Sequence, residues 1–137
     1  MVRKALRAGV FAALGMIVLV GTYGVATSAD DKVPEISTVM QKSFGKEGYK
    51  ASIVAAVKGE KWEDASKLAK EWNELGEVIG KNKPPKGEAK SWEEHTKKFA
   101  DNTKAILEGS DKKDAKAVTK AIGSFNCGAC HKAHKGT

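Results

Sequence analysis

Residues 127–131 of this 137-residue chain have the sequence Cys-Gly-Ala-Cys-His, the C-x-x-C-H pattern. On a helix, two cysteines three positions apart lie on one side, separated by about 4.5 Å along the axis. That spacing suits thioether bonds from Cys127 and Cys130 to the two vinyl groups at one edge of a porphyrin. The imidazole of His131 can then reach the iron. The motif therefore predicts covalently attached haem c, with Cys127 and Cys130 binding the cofactor and His131 as proximal iron ligand.

Two other kinds of site use the same pair of cysteines. A thiol–disulfide exchange site usually places Cys-x-x-Cys after a strand, and no strand pattern precedes Phe125. A structural zinc site needs four ligands. His95 and His134 would complete that number, but a second closely spaced pair of ligands is missing. We therefore favour covalent haem, with a redox-active or inert cysteine pair and a zinc site as the alternatives.

The sixth ligand of the iron is expected to be Met40. The other methionines, Met1 and Met16, lie in an N-terminal segment that we expect to be removed. A thioether ligand raises the reduction potential of the iron and gives a low-spin centre suited to electron transfer. However, Met40 shares an apolar stripe with Ile36 and Phe44, where methionine commonly fills space in the core. The alternative is a five-coordinate iron with an apolar distal side, which would bind NO or CO.

The remaining histidines have different predicted surroundings. His95 falls on the apolar stripe of a helix beside Trp92, where a lone histidine is usually a hydrogen-bonded core residue rather than a ligand. His134 lies near the end of the chain between Lys132 and Lys135. This basic context predicts that the His134 side chain is solvated, with iron ligation as its alternative role.

The first 29 residues have the organisation of a secretory signal peptide. Basic residues come first, residues 10–20 carry no charge, and small residues precede two acids. Thr27 and Ala29 would occupy the small positions before the cleavage site. An uncleaved membrane anchor is the alternative, although Arg7 and three glycines weaken the segment as a membrane span. We expect a signal peptide at 1–29, then a periplasmic or otherwise exported domain at 30–137 without a membrane span.

The composition argues against several other classes of protein. The net charge is +7, from 24 Lys and Arg against 17 Asp and Glu. Lysines alternate with acids along most of the chain, so they do not form the single basic face of a nucleic-acid-binding domain. The length fits one domain rather than a large enzyme or a multi-span membrane protein. The charge pattern therefore predicts no nucleic-acid partner. No group of acid, base and nucleophile residues suited to catalysis is visible, so we do not expect an enzyme.

The elements that position these residues are predicted to be helices. Apolar side chains recur at helical spacing, and no run of six residues alternates as a strand would. The first segment begins at Pro34 and ends near Gly59, with a kink or break between Gly45 and Gly48. The second segment covers about residues 60–81. Two consecutive prolines then interrupt the helical pattern.

Capping patterns delimit the third and fourth predicted segments. Ser91 is expected to be the N-cap of the third, with Glu94 completing a capping box and Gly109 ending the helix. Ser110 or Asp111 is expected to cap the fourth segment, which runs directly into the cysteine motif. Four amphipathic segments with short connections predict an all-α fold, namely an antiparallel four-helix bundle.

With a haem motif at the carboxyl end of four predicted helices, the chain resembles the class II cytochromes c, the cytochrome c′ family. The resemblance covers about residues 33–135, and the cysteine motif is its diagnostic part. Residues 36–42, with the sequence ISTVMQK, are similar to the first-helix segment in which low-spin members carry a methionine ligand. The resemblance implies a haem-enclosing bundle with His131 as proximal ligand, and it allows a homodimer. We therefore expect an exported mono-haem cytochrome that exchanges electrons with redox partner proteins outside the cytoplasm.

Overall fold

The computed structural model describes residues 32–136, and within that range every regular element is helical. The elements are α1 (Ile36–Phe44), α2 (Tyr49–Lys58), α3 (Trp62–Val78), a 3-10 helix (Ile79–Lys81), α4 (Ala89–Asp111), α5 (Ala115–Gly123) and α6 (Cys127–His134). The prediction of an all-α fold is therefore confirmed for these residues. The predicted signal peptide, residues 1–29, lies outside the described range. Among the described helices, none is both long enough and apolar enough to cross a membrane.

The first predicted segment is divided into α1 and α2 at its glycines. The backbone is extended at Gly45, with ψ of 169°, and again at Gly48, with ψ of 173°. These angles cannot continue a helix, so the chain turns between the two glycines before α2 begins. The predicted break is confirmed, and it leaves Met40 on a short helix of nine residues.

The capping prediction for Ser91 is wrong. The N-cap of α4 is Glu88, three residues earlier, which has an extended conformation and makes no side-chain cap hydrogen bond. Ser91 lies inside the first turn, where its hydroxyl pairs with His134. The helix also continues past Gly109, its predicted end, to Asp111. The Ser91 hydroxyl therefore makes a tertiary hydrogen bond instead of the capping bond that the local sequence predicts.

The caps predicted for the last segment are also wrong. Ser110 is buried within α4 and donates a hydrogen bond to the Ile106 carbonyl at 2.8 Å. Asp111 is the last residue of α4. The cap of α5 is Asp114, whose carboxylate accepts a hydrogen bond from the Ala117 amide at 2.9 Å. An N-cap carboxylate satisfies an amide that has no partner within the helix.

The cysteine motif forms its own helix rather than continuing α5. Helix α5 ends at Gly123, and Asn126 caps α6 by accepting a hydrogen bond from the Ala129 amide at 3.2 Å. The prediction that the fourth segment runs directly into the motif is therefore wrong. Residues 124–126 separate α6 from α5.

Aromatic side chains join the helices at the centre of the core. Trp72 of α3 is fully buried, packs edge-to-face with Phe44 and stacks on Phe125. Phe99 of α4 contacts both phenylalanine rings. The buried aliphatic residues of this core are Ile53, Ala69, Ile106, Val118 and Ala121. Because Phe125 lies two residues before the first residue of α6, its packing in the core fixes the point at which the cysteine helix begins.

Helices α3 and α4 form the most extensive helix pair, followed by α4 with α5 and α2 with α3. Between α3 and α4, the hydroxyl of Thr103 lies 3.2 Å from the Asn73 side-chain oxygen. Helix α6 packs mainly against α4. Helix α4 therefore packs both against the core helices and against the cysteine helix.

Candidate cofactor-binding site

Helix α6 carries all three residues of the predicted haem site. Cys127 and Cys130 are both free thiols, so the structure does not contain the alternative disulfide between them. Cys127 is exposed, whereas Cys130 is half-buried. His131 is exposed on the same helix. Both thiols are thus within one turn of helix and available for reaction.

The two thiols differ in their surroundings. Burial raises the pKa of the Cys130 thiol, and negative charge on Cys127 raises that pKa further. A raised pKa means that Cys130 stays protonated to a higher pH, because removal of charge from water disfavours the thiolate. Cys127 is therefore the more accessible thiol, and Cys130 is the one that faces the apolar interior.

Cys130 lies against a second apolar cluster, separate from the aromatic core. Its buried members are Val39, Ile79 and Trp92, which we call the Trp92 cluster. Met40 of α1 packs against the same cluster and is half-buried. The structure thus brings the predicted sixth ligand and the cysteine helix to one patch of the protein. Ile36, Leu75 and Phe99 complete the partly buried surroundings.

Hydrogen bonds fix the Trp92 cluster to the start of α1. The Asn82 side-chain amide donates to the Pro34 carbonyl at 3.0 Å. The Trp92 indole nitrogen donates to the Asn82 carbonyl at 2.7 Å. These bonds hold the residues that precede Met40 beside the first turn of α4, so the position of Met40 depends on the loop between α3 and α4.

The prediction that His134 is solvated is wrong. Its side chain is 2% exposed, and both ring nitrogens have partners in the protein. Nδ1 lies 2.8 Å from the Lys86 carbonyl oxygen, and Nε2 lies 3.0 Å from the Ser91 hydroxyl. The sequence contains one indication of this burial. His134 follows Cys130 by four residues, and residues four apart lie on the same face of a helix.

His95 is half-buried on α4 and contacts the buried histidine. Its ring packs edge-on against that of His134, with the centroids 5.6 Å apart. A zinc site would require these histidines to converge with the cysteines. Within residues 32–136, however, the His, Cys, Asp and Glu side chains form no group of three or more that could hold a metal ion.

The donor set of α6 fits haem c. Cys127 and Cys130 are free thiols three residues apart on one helix, and the imidazole of His131 is the type of ligand that haem iron takes. The apolar Trp92 cluster beside Cys130 matches the hydrophobic surface of a porphyrin. The residue types of α6 are therefore compatible with covalent attachment of haem.

Comparison of the chain with known protein families, with curated proteins and with solved structures finds no match. The function must therefore be argued from the residues of α6 and from the helices that surround them.

Proposed function

We propose that this protein is an exported mono-haem c-type cytochrome that transfers electrons between partner proteins outside the cytoplasm. Haem c would be attached through Cys127 and Cys130, with His131 as the proximal iron ligand. The observation that carries the proposal is the placement of both free thiols and His131 on one helix whose inner cysteine meets an apolar cluster. The motif, the predicted signal peptide at 1–29 and the resemblance to class II cytochromes c all point the same way.

The proposal includes an antiparallel four-helix bundle made from α1 with α2, α3, α4, and α5. The contacts of α3 with α4 support this arrangement. Gly76 of α3 lies against Thr103, and Gly80, in the 3-10 helix that directly follows α3, lies against the earlier residue Thr96. Positions therefore ascend along one helix as they descend along the other, which is the contact order of antiparallel neighbours.

When bound, the haem would supply the redox-active iron. Cys127 and Cys130 would tether the cofactor, so that its retention would not depend on the concentration of free haem. His131 would bind the iron through a ring nitrogen. The Trp92 cluster excludes water from the inner side of α6, and a dry, low-dielectric environment lowers the solvent reorganisation that accompanies electron transfer.

We propose Met40 as the sixth ligand. Its position beside the cluster that Cys130 contacts supports this assignment. A thioether stabilises ferrous over ferric iron and raises the reduction potential, as a carrier of electrons requires. Among residues 32–136, Met40 is the methionine that the chain can offer.

Binding of NO or CO by a five-coordinate iron is the second candidate function. The packing of Met40 favours it, because the half-buried side chain packs against the apolar Trp92 cluster as a core methionine would. If Met40 stays in that packing, the distal side of the iron is apolar and open to a diatomic gas. The two candidates differ in coordination number, which an optical spectrum with and without CO reports.

The experiment that tests both candidates is expression of the full chain with its N-terminal segment in a host that has haem-maturation machinery. Intact mass spectrometry should show loss of residues 1–29 and the gain of one haem, and a pyridine haemochrome spectrum should identify haem c. The matched control replaces both cysteines by serine and should gain no haem. An exported wild-type chain that carries no macrocycle would overturn the proposal.

A further inference from the structure

We propose that His134 is a positioning residue for the haem helix. Its buried imidazole fixes the last turn of α6 to α4 and to the loop that precedes α4. The consequence for iron ligation rests on the proposed function, whereas the anchoring of α6 rests on the contacts of His134 alone.

The two ring nitrogens of His134 bind two different elements. A carbonyl oxygen can only accept a hydrogen bond. Nδ1 of His134 therefore carries the hydrogen and donates it to the Lys86 backbone carbonyl oxygen at 2.8 Å. Nε2 pairs with the hydroxyl of Ser91, in the first turn of α4, at 3.0 Å. One side chain thus joins the end of α6 to the loop and to the helix. Because both nitrogens are engaged, we assign His134 to anchoring rather than to the iron.

The loop lies directly on α6 at Gly87. A side-chain carbon added at Gly87 would come within 2.7 Å of the Ala133 carbonyl and 2.9 Å of His134 Nδ1. The φ angle of Gly87 is +82°, which favours glycine over residues with a side chain. The close approach of backbone to helix is what allows the neighbouring Lys86 carbonyl to reach the imidazole.

Helix α6 needs such an anchor because it is short. It has eight residues, all of them described, and His134 is the one that is buried. Isolated helices of this length are unstable in water, so tertiary contacts must hold α6 in place. The aromatic contacts of His134 with Trp92 at 5.4 Å and with His95 at 5.6 Å add to its two hydrogen bonds.

The anchor lies close to the iron ligand in the sequence. His131 precedes His134 by three residues and Cys130 precedes it by four, so all three lie within about one turn of helix. Fixing the last turn therefore fixes the direction in which His131 leaves the helix. A loosened α6 would let His131 approach the iron in more than one geometry.

The test is hydrogen–deuterium exchange on the full chain as it is purified after export. In His134→Ala, which removes both hydrogen bonds, amides of α6 should lose protection by at least about tenfold, the factor expected for the loss of even one buried hydrogen bond, while those of α3 keep theirs. In haem-loaded His134→Ala, the ferric spectrum should split into more than one ligation species. His134→Asn keeps a donor near the Nδ1 position and should restore much of the protection and the single spectrum. Lys132→Ala, an exposed change on the same helix, should behave as wild type.

Unchanged protection of α6 in His134→Ala would overturn the positioning role. If that variant does not fold, Ser91→Ala replaces it: reduced protection confined to α6 supports the role, and unchanged protection contradicts it. A haemochrome spectrum of the same samples tests the proposed function separately. Wild-type protein without haem would refute the cytochrome assignment, while the exchange data would still decide whether His134 anchors α6.

Discussion

Met40 of α1 and Cys130 of α6 pack against the same buried cluster, which consists of Val39, Ile79 and Trp92. The two side chains come from opposite ends of the described chain, and the folding of α1 and α4 places them at one apolar patch. An iron held beside Cys130 and bound by Met40 would therefore connect the first helix to the last. Whether Met40 is the sixth ligand can therefore be tested by substituting that residue.

Replacement of Met40 should convert the iron from six-coordinate low-spin to five-coordinate. Met40→Leu removes the sulfur while keeping nearly the same volume, so its effect on packing should be under about 1.5 kcal/mol. We expect loss of the low-spin absorption, a gain of CO binding and a lower reduction potential, as Met40→Ala should also show. Optical spectra and potentiometry measure these changes. Ile36→Val, at the same cluster, is the control and should leave the spectra unchanged. Wild-type spectra in Met40→Leu would mean that Met40 only fills the core.

The two cysteines should react with iodoacetamide at different rates in chain produced without haem attachment. Cys127 is exposed and should be alkylated first. The raised pKa of Cys130 leaves less thiolate at any given pH than an unshifted thiol would have, so alkylation of Cys130 should require a higher pH. Mass spectrometry of the single variants Cys127→Ser and Cys130→Ser over a pH series separates the two rates. Equal rates, or faster reaction at Cys130, would contradict the burial of Cys130.

The same pKa shift makes the stability of the haem-free chain depend on pH. The Cys130 pKa is higher in the folded chain than in the unfolded chain, so the folded state binds the proton more tightly. The Cys130 proton therefore stabilises the folded chain. Its contribution to the free energy of unfolding is complete below the ordinary thiol pKa of about 8.5 and is lost as the pH rises through the raised pKa of Cys130. Urea denaturation from neutral to alkaline pH should show a smaller loss of stability in Cys130→Ser than in Cys127→Ser. Identical pH profiles for the two variants would contradict this prediction.

Ser43→Ala should destabilise the junction of α1 with α3. Trp72 donates its indole N–H to the Ser43 hydroxyl at 2.8 Å, and both residues are fully buried. Removal of the hydroxyl leaves the indole donor without its partner, at a cost of about 1–3 kcal/mol in the free energy of unfolding. Ser124→Ala, on the exposed end of α5, is the matched control and should change stability by less than about 0.5 kcal/mol. Equal urea midpoints for the two variants would refute the role of the Ser43 bond.

The helical fold could be predicted from the sequence, but the ends of the helices could not. Stripes such as Trp72, Leu75 and Ile79 recur at helical spacing because one face of each helix must meet the core. The role of Ser91, by contrast, depends on a tertiary contact. Its hydroxyl pairs with His134, 43 residues away, and no local pattern contains that contact. Local capping rules therefore assigned Ser91 to a helix start, and the basic context assigned His134 to solvent, although the two residues bind each other.

The cysteine motif is the part of the site that local sequence could specify. Its spacing within one turn of helix follows from the motif itself, and α6 has that form. The apolar patch beside Cys130 could not be predicted in the same way, because its buried residues come from α1, the 3-10 helix and α4. Only the packing of these distant segments shows which residues surround the thiol.

Gly76→Ala should force α3 and α4 apart. A side-chain carbon at Gly76 would overlap the Thr103 hydroxyl oxygen, and Thr103 is fully buried and also donates to the Ala100 carbonyl at 2.9 Å. The overpacking should cost about 1–3 kcal/mol, more than the gain of up to ~1 kcal/mol from the better helix propensity of alanine. Gly123→Ala is the matched control, because the space around that glycine is open, and it should be neutral or stabilising. Urea unfolding followed by circular dichroism should give a lower midpoint for Gly76→Ala and an unchanged or higher midpoint for Gly123→Ala. A stabilised Gly76→Ala would show that the two helices do not approach each other closely at this point.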